Sequence, residues 1–214
     1  MSYTISCHLI SLARDGYVAC IRDRLAKRHL VNADNNLSWY ALLTFVMSAA
    51  ALEALINELC FMYSFWLSNP PKPELAKLSK KEVRQKYLDV PSCLWGKTYD
   101  EDESPYRDFK VLVDIRNEFM HYEMGLSPDE RSQRIDAYLR AQGLLFYNDQ
   151  PHDYIVGIPQ YFNAKAALWA HNTACQMALK LGEFNRANPI INFDSILSEE
   201  NFREISPDFW KSLV

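Results

Sequence analysis

The residues with the greatest chemical potential lie close together on one predicted helix, between Arg116 and His121. Apolar residues form two adjoining stripes on this helix, and Arg116 projects between them. An arginine there is a permanent cation that is either partly buried or lines a cleft. His121 points about 140° away from Arg116 and shares a polar face with Asn117, four residues earlier. The stripes are Leu112, Ile115, Phe119 and Tyr122 on one side, and Val113, Met120 and Met124 on the other.

A carboxylate interrupts the apolar stripe of a second predicted helix, where Glu53 lies in the middle of core positions that run from Leu42 to Cys60. A charge at such a position costs free energy unless it is paired or protonated. We therefore expect Glu53 and Arg116 to face each other across the molecule, with Asn57 one turn further along. Such a pair can also serve only to fix the register of the helices.

Helix signals dominate the chain and predict the elements that position these residues. Start and stop residues are recognisable for most of them, such as the Ser79–Glu82 capping box and the Ser104–Pro105 pair. Residues 143–158 are predicted to form a short strand or an irregular crossing, and short helices are expected in the tail from Asn188 onward. The predicted helices span residues 11–31, 38–67, 79–90, 104–124, 127–141 and 159–184.

These elements predict an all-α bundle of four to five core helices in a single domain over residues 1–214. The core is expected over about residues 11–185, and a C-terminal extension with short accessory helices over about 186–214. With 49% hydrophobic and 23% charged residues, the composition is that of a soluble globular protein. Only 6 glycines occur, and no glycine-rich phosphate-binding motif is present. We therefore expect no nucleotide cofactor.

The five cysteines are far apart and never form a C-x-x-C pair, which favours a cytoplasmic protein whose cysteines fill the core. No pair of histidines has the spacing of a metal site, so we expect no metal. The long apolar run from Trp39 to Leu52 is shorter than the about 20 residues that a membrane span needs. A buried helix and no membrane association are therefore predicted.

The formal net charge of −4 is unevenly distributed. Residues 22–29 carry +3 and residues 72–86 carry +4, whereas residues 100–103 are four consecutive acids. A basic patch of this size could guide an RNA backbone, although a solvated helix face is the commoner reason for such a run. The lysines lack interleaved aromatic residues for base stacking. The candidate RNA contacts are Lys77, Lys80, Lys81 and Arg84.

Two segments resemble those of the HEPN family. The string from Val113 to Tyr122 contains an arginine, an asparagine directly after it, and a histidine five positions after the arginine, which is similar to the signature helix of that family. The string from Ala50 to Glu58 is similar to the Glu-Ala-x-Ile-Asn stretch of the leading core helix in several HEPN families. Together they cover about 20 residues, and the fuller string is more specific than a bare R-x4-H.

The resemblance implies a homodimeric helical bundle in which the motif helices of two subunits meet at a shared cleft. Many members are metal-independent endoribonucleases, often prokaryotic toxins or defence proteins with an antitoxin partner. By resemblance, His121 is the general acid or base and Arg116 the phosphate clamp. Asn117 orients His121 or the phosphate, and the supporting residues are Glu53, Asn57 and Tyr122.

Two other functions compete with RNA cleavage. One is a non-catalytic helical dimer that acts as a protein-interaction module, in which the polar motif stabilises the dimer. The other is a bundle that binds a small molecule or nucleotide. An enzyme is expected to place Arg116 and His121 in an open cleft with a basic rim, whereas an interaction module is expected to bury Arg116.

Overall fold

A computed structural model describes residues 5–26, 39–65, 73–120, 130–145, 163–187 and 202–208, and every regular element in these ranges is an α-helix. The predicted all-α class is therefore confirmed, and residues 143–145 form no strand. The rest of the predicted strand or crossing lies outside the described residues. The helices are α1 (Ile5–Ala26), α2 (Trp39–Phe65), α3 (Pro73–Leu78), α4 (Val83–Trp95), α5 (Tyr106–Met120), α6 (Glu130–Ala141) and α7 (Ala164–Ala187).

Helix α2 is the central element, since it packs against α1, α7, α3, α5 and α4. A glycine allows α1 to approach it closely: a Cβ atom at Gly16 would lie 2.9 Å from the Oγ1 atom of Thr44 and 3.2 Å from the carbonyl oxygen of Tyr40. At the other end of this contact, Glu58 accepts hydrogen bonds from the backbone N–H and the hydroxyl of Ser6, at 3.2 and 2.7 Å. The carboxylate thereby satisfies one of the N–H groups in the first turn of α1.

The apolar character of α2 extends further than the sequence prediction allowed. Within the described residues, one helical segment, Tyr40–Ser64, has the length and the apolar composition needed to cross a membrane. Half of its most apolar window is buried inside the structure. The apolar run resumes after Glu53, so the 14-residue count underestimated its length. Phe45, Leu52 and Leu59 are nevertheless fully buried, as expected for a core helix.

The region between residues 73 and 96 differs from its prediction in two ways. Ser79 does not cap α4, because its hydroxyl donates to the carbonyl of Ala76 at the end of α3, a helix that was not predicted. Helix α4 also continues through Pro91 to Trp95, where Gly96 adopts a left-handed conformation with φ of 61°. A proline inside a helix costs about 3 kcal/mol, and burial of the α4 side chains on both sides of Pro91 offsets this cost.

The boundaries of the later helices follow local hydrogen bonds. Helix α5 begins at Tyr106, and its predicted continuation to residue 124 lies outside the described residues. Helix α6 ends at Ala141 as predicted. Helix α7 begins at Ala164 and not at residue 159, because the side chain of Asn163 accepts hydrogen bonds from the N–H groups of residues 165 and 166.

The loop between α4 and α5 contributes a tyrosine to the core. Tyr99 is 5% exposed, and its hydroxyl donates to the carbonyl of Met177 on α7 at 2.7 Å. Its ring contacts those of Tyr87, Tyr106 and Phe184, with centroids 5.2 to 5.9 Å apart. This aromatic cluster joins α4, α5 and α7 directly beside the acidic residues 100–103, which are exposed.

Residues 202–206 of the C-terminal extension are not helical and residues 207–208 form a turn, whereas the rest of the short helix expected after Ser206–Pro207 lies outside the described residues. The described segment packs on α7. The side chain of Asn172 donates to the carbonyl of Ile205 and accepts from its N–H, both at 2.9 Å. Phe202 is fully buried. The predicted short helix near Ser198 lies outside the described residues.

His171 is buried at the same contact and lies 3.4 Å from the carbonyl oxygen of Arg203 and 3.5 Å from the Sγ atom of Cys175. Burial lowers the pKa of His171 to about 4 and raises the pKa of Cys175 to about 12. A neutral thiol beside a neutral imidazole is not an activated nucleophile. Cys7, Cys20 and Cys60 are also buried, in agreement with the prediction that the cysteines fill the core.

The burial of His171 predicts a loss of stability in mild acid. The unfolded chain takes up a proton near pH 6.5 and the folded chain only near pH 4. The neutral form therefore contributes stability above pH 6.5, and about 3 kcal/mol of it is lost as the pH falls to 4. Urea unfolding at pH 7, 5.5 and 4 should show that the free energy of unfolding falls less with decreasing pH for His171→Gln than for the wild type. His8→Gln, which changes an exposed histidine, should keep the wild-type pH dependence, and an equal fall in all three proteins would contradict this account.

Candidate functional site

Arg116 on α5 donates a hydrogen bond through its Nη2 atom to the Oε2 atom of Glu53 on α2, and the two side chains form an ion pair. The predicted contact between these residues is therefore confirmed. Neither side chain is fully buried, since 24% of Arg116 and 41% of Glu53 is exposed. The pair lies at the edge of the core, where water screens its charges.

The second apolar stripe predicted on α5 is only partly correct. Val113 is buried, whereas Met120 is 61% exposed. Leu112 and Ile115 on the first stripe are buried and Phe119 is partly buried, as expected. The core contact of α5 therefore weakens beyond Arg116, which places the guanidinium near the boundary between the packed part of the helix and solvent.

Asn117 is oriented toward the arginine. Its Oδ1 atom accepts a hydrogen bond of 3.1 Å from the Nη1 atom of Arg116. The guanidinium is thus held by a carboxylate on one side and an amide oxygen on the other. Two fixed acceptors restrict the rotamers of a long side chain, so Arg116 is pre-organised.

Asn57 does not join the Glu53–Arg116 pair, contrary to the expectation from helical spacing. Its Oδ1 atom accepts a hydrogen bond of 2.7 Å from the Nζ atom of Lys86 on α4. Lys86 is only 5% exposed. The apolar spacing of α4 could have revealed this lysine, because it lies three residues after Val83 and four before Val90, both of which are buried.

Two of the four candidate RNA contacts are engaged in ion pairs. Arg84 lies 2.5 Å from Asp114 on α5, and Lys81, which precedes α4, lies 2.6 Å from Asp89 on α4. Lys77 and Lys80 are exposed, and the described part of the chain places no carboxylate within 4.0 Å of either. The predicted basic rim is therefore partly neutralised within the chain.

Polar contacts link the three helices in pairs, and we call these contacts together the α2–α4–α5 cluster. It consists of the Glu53–Arg116, Asn57–Lys86 and Asp114–Arg84 contacts and of Asn117. The two contacts on α2 are one helical turn apart, and those on α5 are two residues apart. A partly exposed guanidinium can attract an oxyanion, which must share Arg116 with Glu53 or displace it.

The remaining site residues of the sequence analysis, His121 and Tyr122, lie outside the described residues. Met120 is the last residue of the motif string that the structure describes. Comparison of the chain with protein-family models, with curated proteins and with solved structures gives no match.

Proposed function

We propose that this chain is a metal-independent endoribonuclease of the HEPN type. Arg116 binds the scissile phosphate and His121 transfers a proton, at a cleft that two copies of the chain form together. Asn117 holds the arginine in place, and Glu53 is its partner when no RNA is bound. Such an enzyme would act in the cytoplasm as a toxin or defence protein. An antitoxin or another protein partner would control it.

One observation carries the proposal: the two segments that resemble the family are in contact. Glu53 and Arg116 are 63 residues apart in the chain and meet through an ion pair between α2 and α5. The contact brings the two family-like segments together, as one shared site requires. The pair is also partly exposed, which favours a role for Arg116 beyond packing.

The reaction follows from the chemistry of the two side chains. The ribose 2′-hydroxyl attacks the adjacent phosphorus while the 5′-oxygen of the next nucleotide leaves, which gives a 2′,3′-cyclic phosphate and a 5′-hydroxyl. His121 accepts the proton of the 2′-hydroxyl and passes it to the leaving 5′-oxygen, so that no proton is gained or lost overall. Arg116 neutralises the charge that develops on the phosphoryl oxygens. Arg116 and His121 point apart on one helix, so a histidine of one copy and an arginine of the other would form each site.

The proposal is tested by incubating purified protein with mixed RNA in the presence of EDTA. We expect cleavage products that end in a cyclic phosphate, and no cleavage of a DNA oligonucleotide that lacks the 2′-hydroxyl. His121→Ala should reduce cleavage by about 10²- to 10⁴-fold, the contribution typical of a general acid or base. Circular dichroism and sedimentation must show that the variant keeps its fold and oligomeric state. Absence of cleavage across several RNAs would count against the ribonuclease.

A protein-interaction module is the second candidate, and exposed apolar side chains favour it. Ile5 and Leu12 on α1, and Leu43 and Phe61 on α2, are 38% to 66% exposed. A partner that packs on α1 and α2 would cover these side chains. In this case the wild type would cleave no RNA, and a charge at Leu12 would reduce self-association measured by sedimentation.

A further inference from the structure

Lys86 is the least expected member of the α2–α4–α5 cluster. It is a lysine on the core face of α4, and only 5% of it is exposed. Its ammonium group donates to the Oδ1 atom of Asn57 at 2.7 Å. Fully buried lysines are rare unless they are paired with an anion, because desolvation of a charge is costly.

No such anion is provided by the part of the chain that the structure describes. Arg116 has Glu53, Arg84 has Asp114, and Lys81 has Asp89, each as an ion pair. The only partner of Lys86 within the described ranges is a neutral amide oxygen. An ammonium group has three donors, so two of them have no acceptor in this part of the protein.

Lys86 and Arg116 contact neighbouring turns of the same helix, α2. Asn57, the partner of Lys86, lies one turn of α2 beyond Glu53, the partner of Arg116. Residues four apart on a helix lie on the same side, with Cβ atoms about 5–6 Å apart. The two cations therefore reach adjacent turns of α2 from two different helices. An elongated polyanion that contacts Arg116 would pass close to the second cation.

We propose that Lys86 and Asn57 form a second oxyanion site beside Arg116, and that its ligand is a phosphate group. The two unused donors of the ammonium bind phosphate oxygens, and the Asn57 side chain holds the ammonium in position. The bound anion offsets the desolvation cost that the amide leaves uncompensated. The assignment of this phosphate to an RNA backbone, next to the phosphate at Arg116, rests on the proposed function.

Inorganic phosphate is a direct probe of the site. Urea unfolding should be compared in about 10 mM phosphate and in chloride of the same ionic strength. For a Kd of about 1 mM, phosphate raises the folding equilibrium constant of the wild type about tenfold. Lys86→Met should fold and lose this response, because methionine keeps the volume and removes the charge. Lys86→Arg should retain part of it.

Lys97→Met is the matched control, since it removes an exposed lysine that is neither in the α2–α4–α5 cluster nor among the candidate RNA contacts. It should keep the full phosphate response. Equal responses in Lys86→Met and wild type would overturn the site, and so would a wild type that does not respond to phosphate. Each protein is compared with itself in phosphate and in chloride. A change in stability caused by the substitution itself therefore does not affect the result.

RNA separates the failure of this site from the failure of the proposed function. A 2′-O-methyl oligonucleotide, which lacks the nucleophile, should bind Lys86→Met about tenfold more weakly than the wild type. If the wild type cleaves RNA and Lys86→Met binds both this oligonucleotide and phosphate normally, the inference fails and the ribonuclease stands. If stabilisation by phosphate depends on Lys86 but the wild type cleaves no RNA, the inferred anion site is supported and the proposed ribonuclease activity is not.

Discussion

Replacing Arg116 with methionine should lower kcat/KM for RNA cleavage by about 10²- to 10³-fold, the loss typical when one donor to a developing oxyanion is removed. Its effect on folding should be much smaller. The ion pair with Glu53 has side chains that are 24% and 41% exposed, and screened pairs of this kind contribute about 0–1 kcal/mol. Methionine also preserves the aliphatic contacts of the arginine stem. The measurement is initial cleavage rates in EDTA, with urea unfolding of the same samples.

Arg140→Met is the matched control for this substitution. Arg140 on α6 forms an exposed pair with Asp136 at 2.9 Å, and it lies outside the α2–α4–α5 cluster. The same chemical change there should leave cleavage within about threefold of the wild type, as expected for a surface position. If Arg116→Met cleaves RNA as well as this control does, Arg116 is not the phosphate clamp.

Glu53→Gln distinguishes a phosphate clamp from a pair that only fixes helix register. The amide still accepts a hydrogen bond from Arg116, but it no longer neutralises the guanidinium. A clamp should then bind the uncleavable 2′-O-methyl oligonucleotide more tightly, because the phosphate no longer competes with a carboxylate. A pair needed only for register should change the free energy of unfolding and leave RNA affinity unchanged.

The contact between Glu53 and Arg116 could be predicted because a charge on an apolar stripe restricts the possible structures. A helix that buries its neighbours must bring such a charge to a partner, and the chain has few unmatched charges on apolar faces. The all-α class was predictable for a similar reason, since capping residues and apolar spacing act locally. The spacing of apolar residues could not show which part of each helix packs against its neighbours. Met120 occupies a core position by spacing and is nevertheless 61% exposed.

The predictions for α4 and for the following loop were wrong for a different reason. Proline and the capping box are local stop and start signals, but burial around Pro91 outweighs the stop signal and Ser79 bonds to the preceding helix. Tyr99 stands next to an acidic run that looks solvated, and nothing in its sequence neighbours predicts a core residue. The partner of Asn57 was missed because the prediction considered α2 and α5 and left α4 out. Each error concerns contacts between distant segments, which local pattern does not determine.

The aromatic cluster around Tyr99 leads to the largest expected change in stability. Tyr99→Ala should lower the free energy of unfolding by about 4 kcal/mol, since it removes a buried ring and leaves a cavity. The ring contacts tyrosines of α4 and α5 and a phenylalanine of α7, so no single helix can move to fill the space. Tyr99→Phe should cost only about 1 kcal/mol, because it removes the hydrogen bond to Met177 and keeps the ring.

Tyr40→Ala makes the same change on α2 at a side chain that is 46% exposed, and it should cost less than about 1 kcal/mol. Guanidinium unfolding monitored by circular dichroism would measure all three variants. A loss for Tyr99→Ala no larger than that for Tyr40→Ala would show that the loop does not hold α4, α5 and α7 together. Because α4 and α5 carry Lys86 and Arg116, a large loss would mean that this loop residue, far from the motif in sequence, maintains the geometry of the α2–α4–α5 cluster.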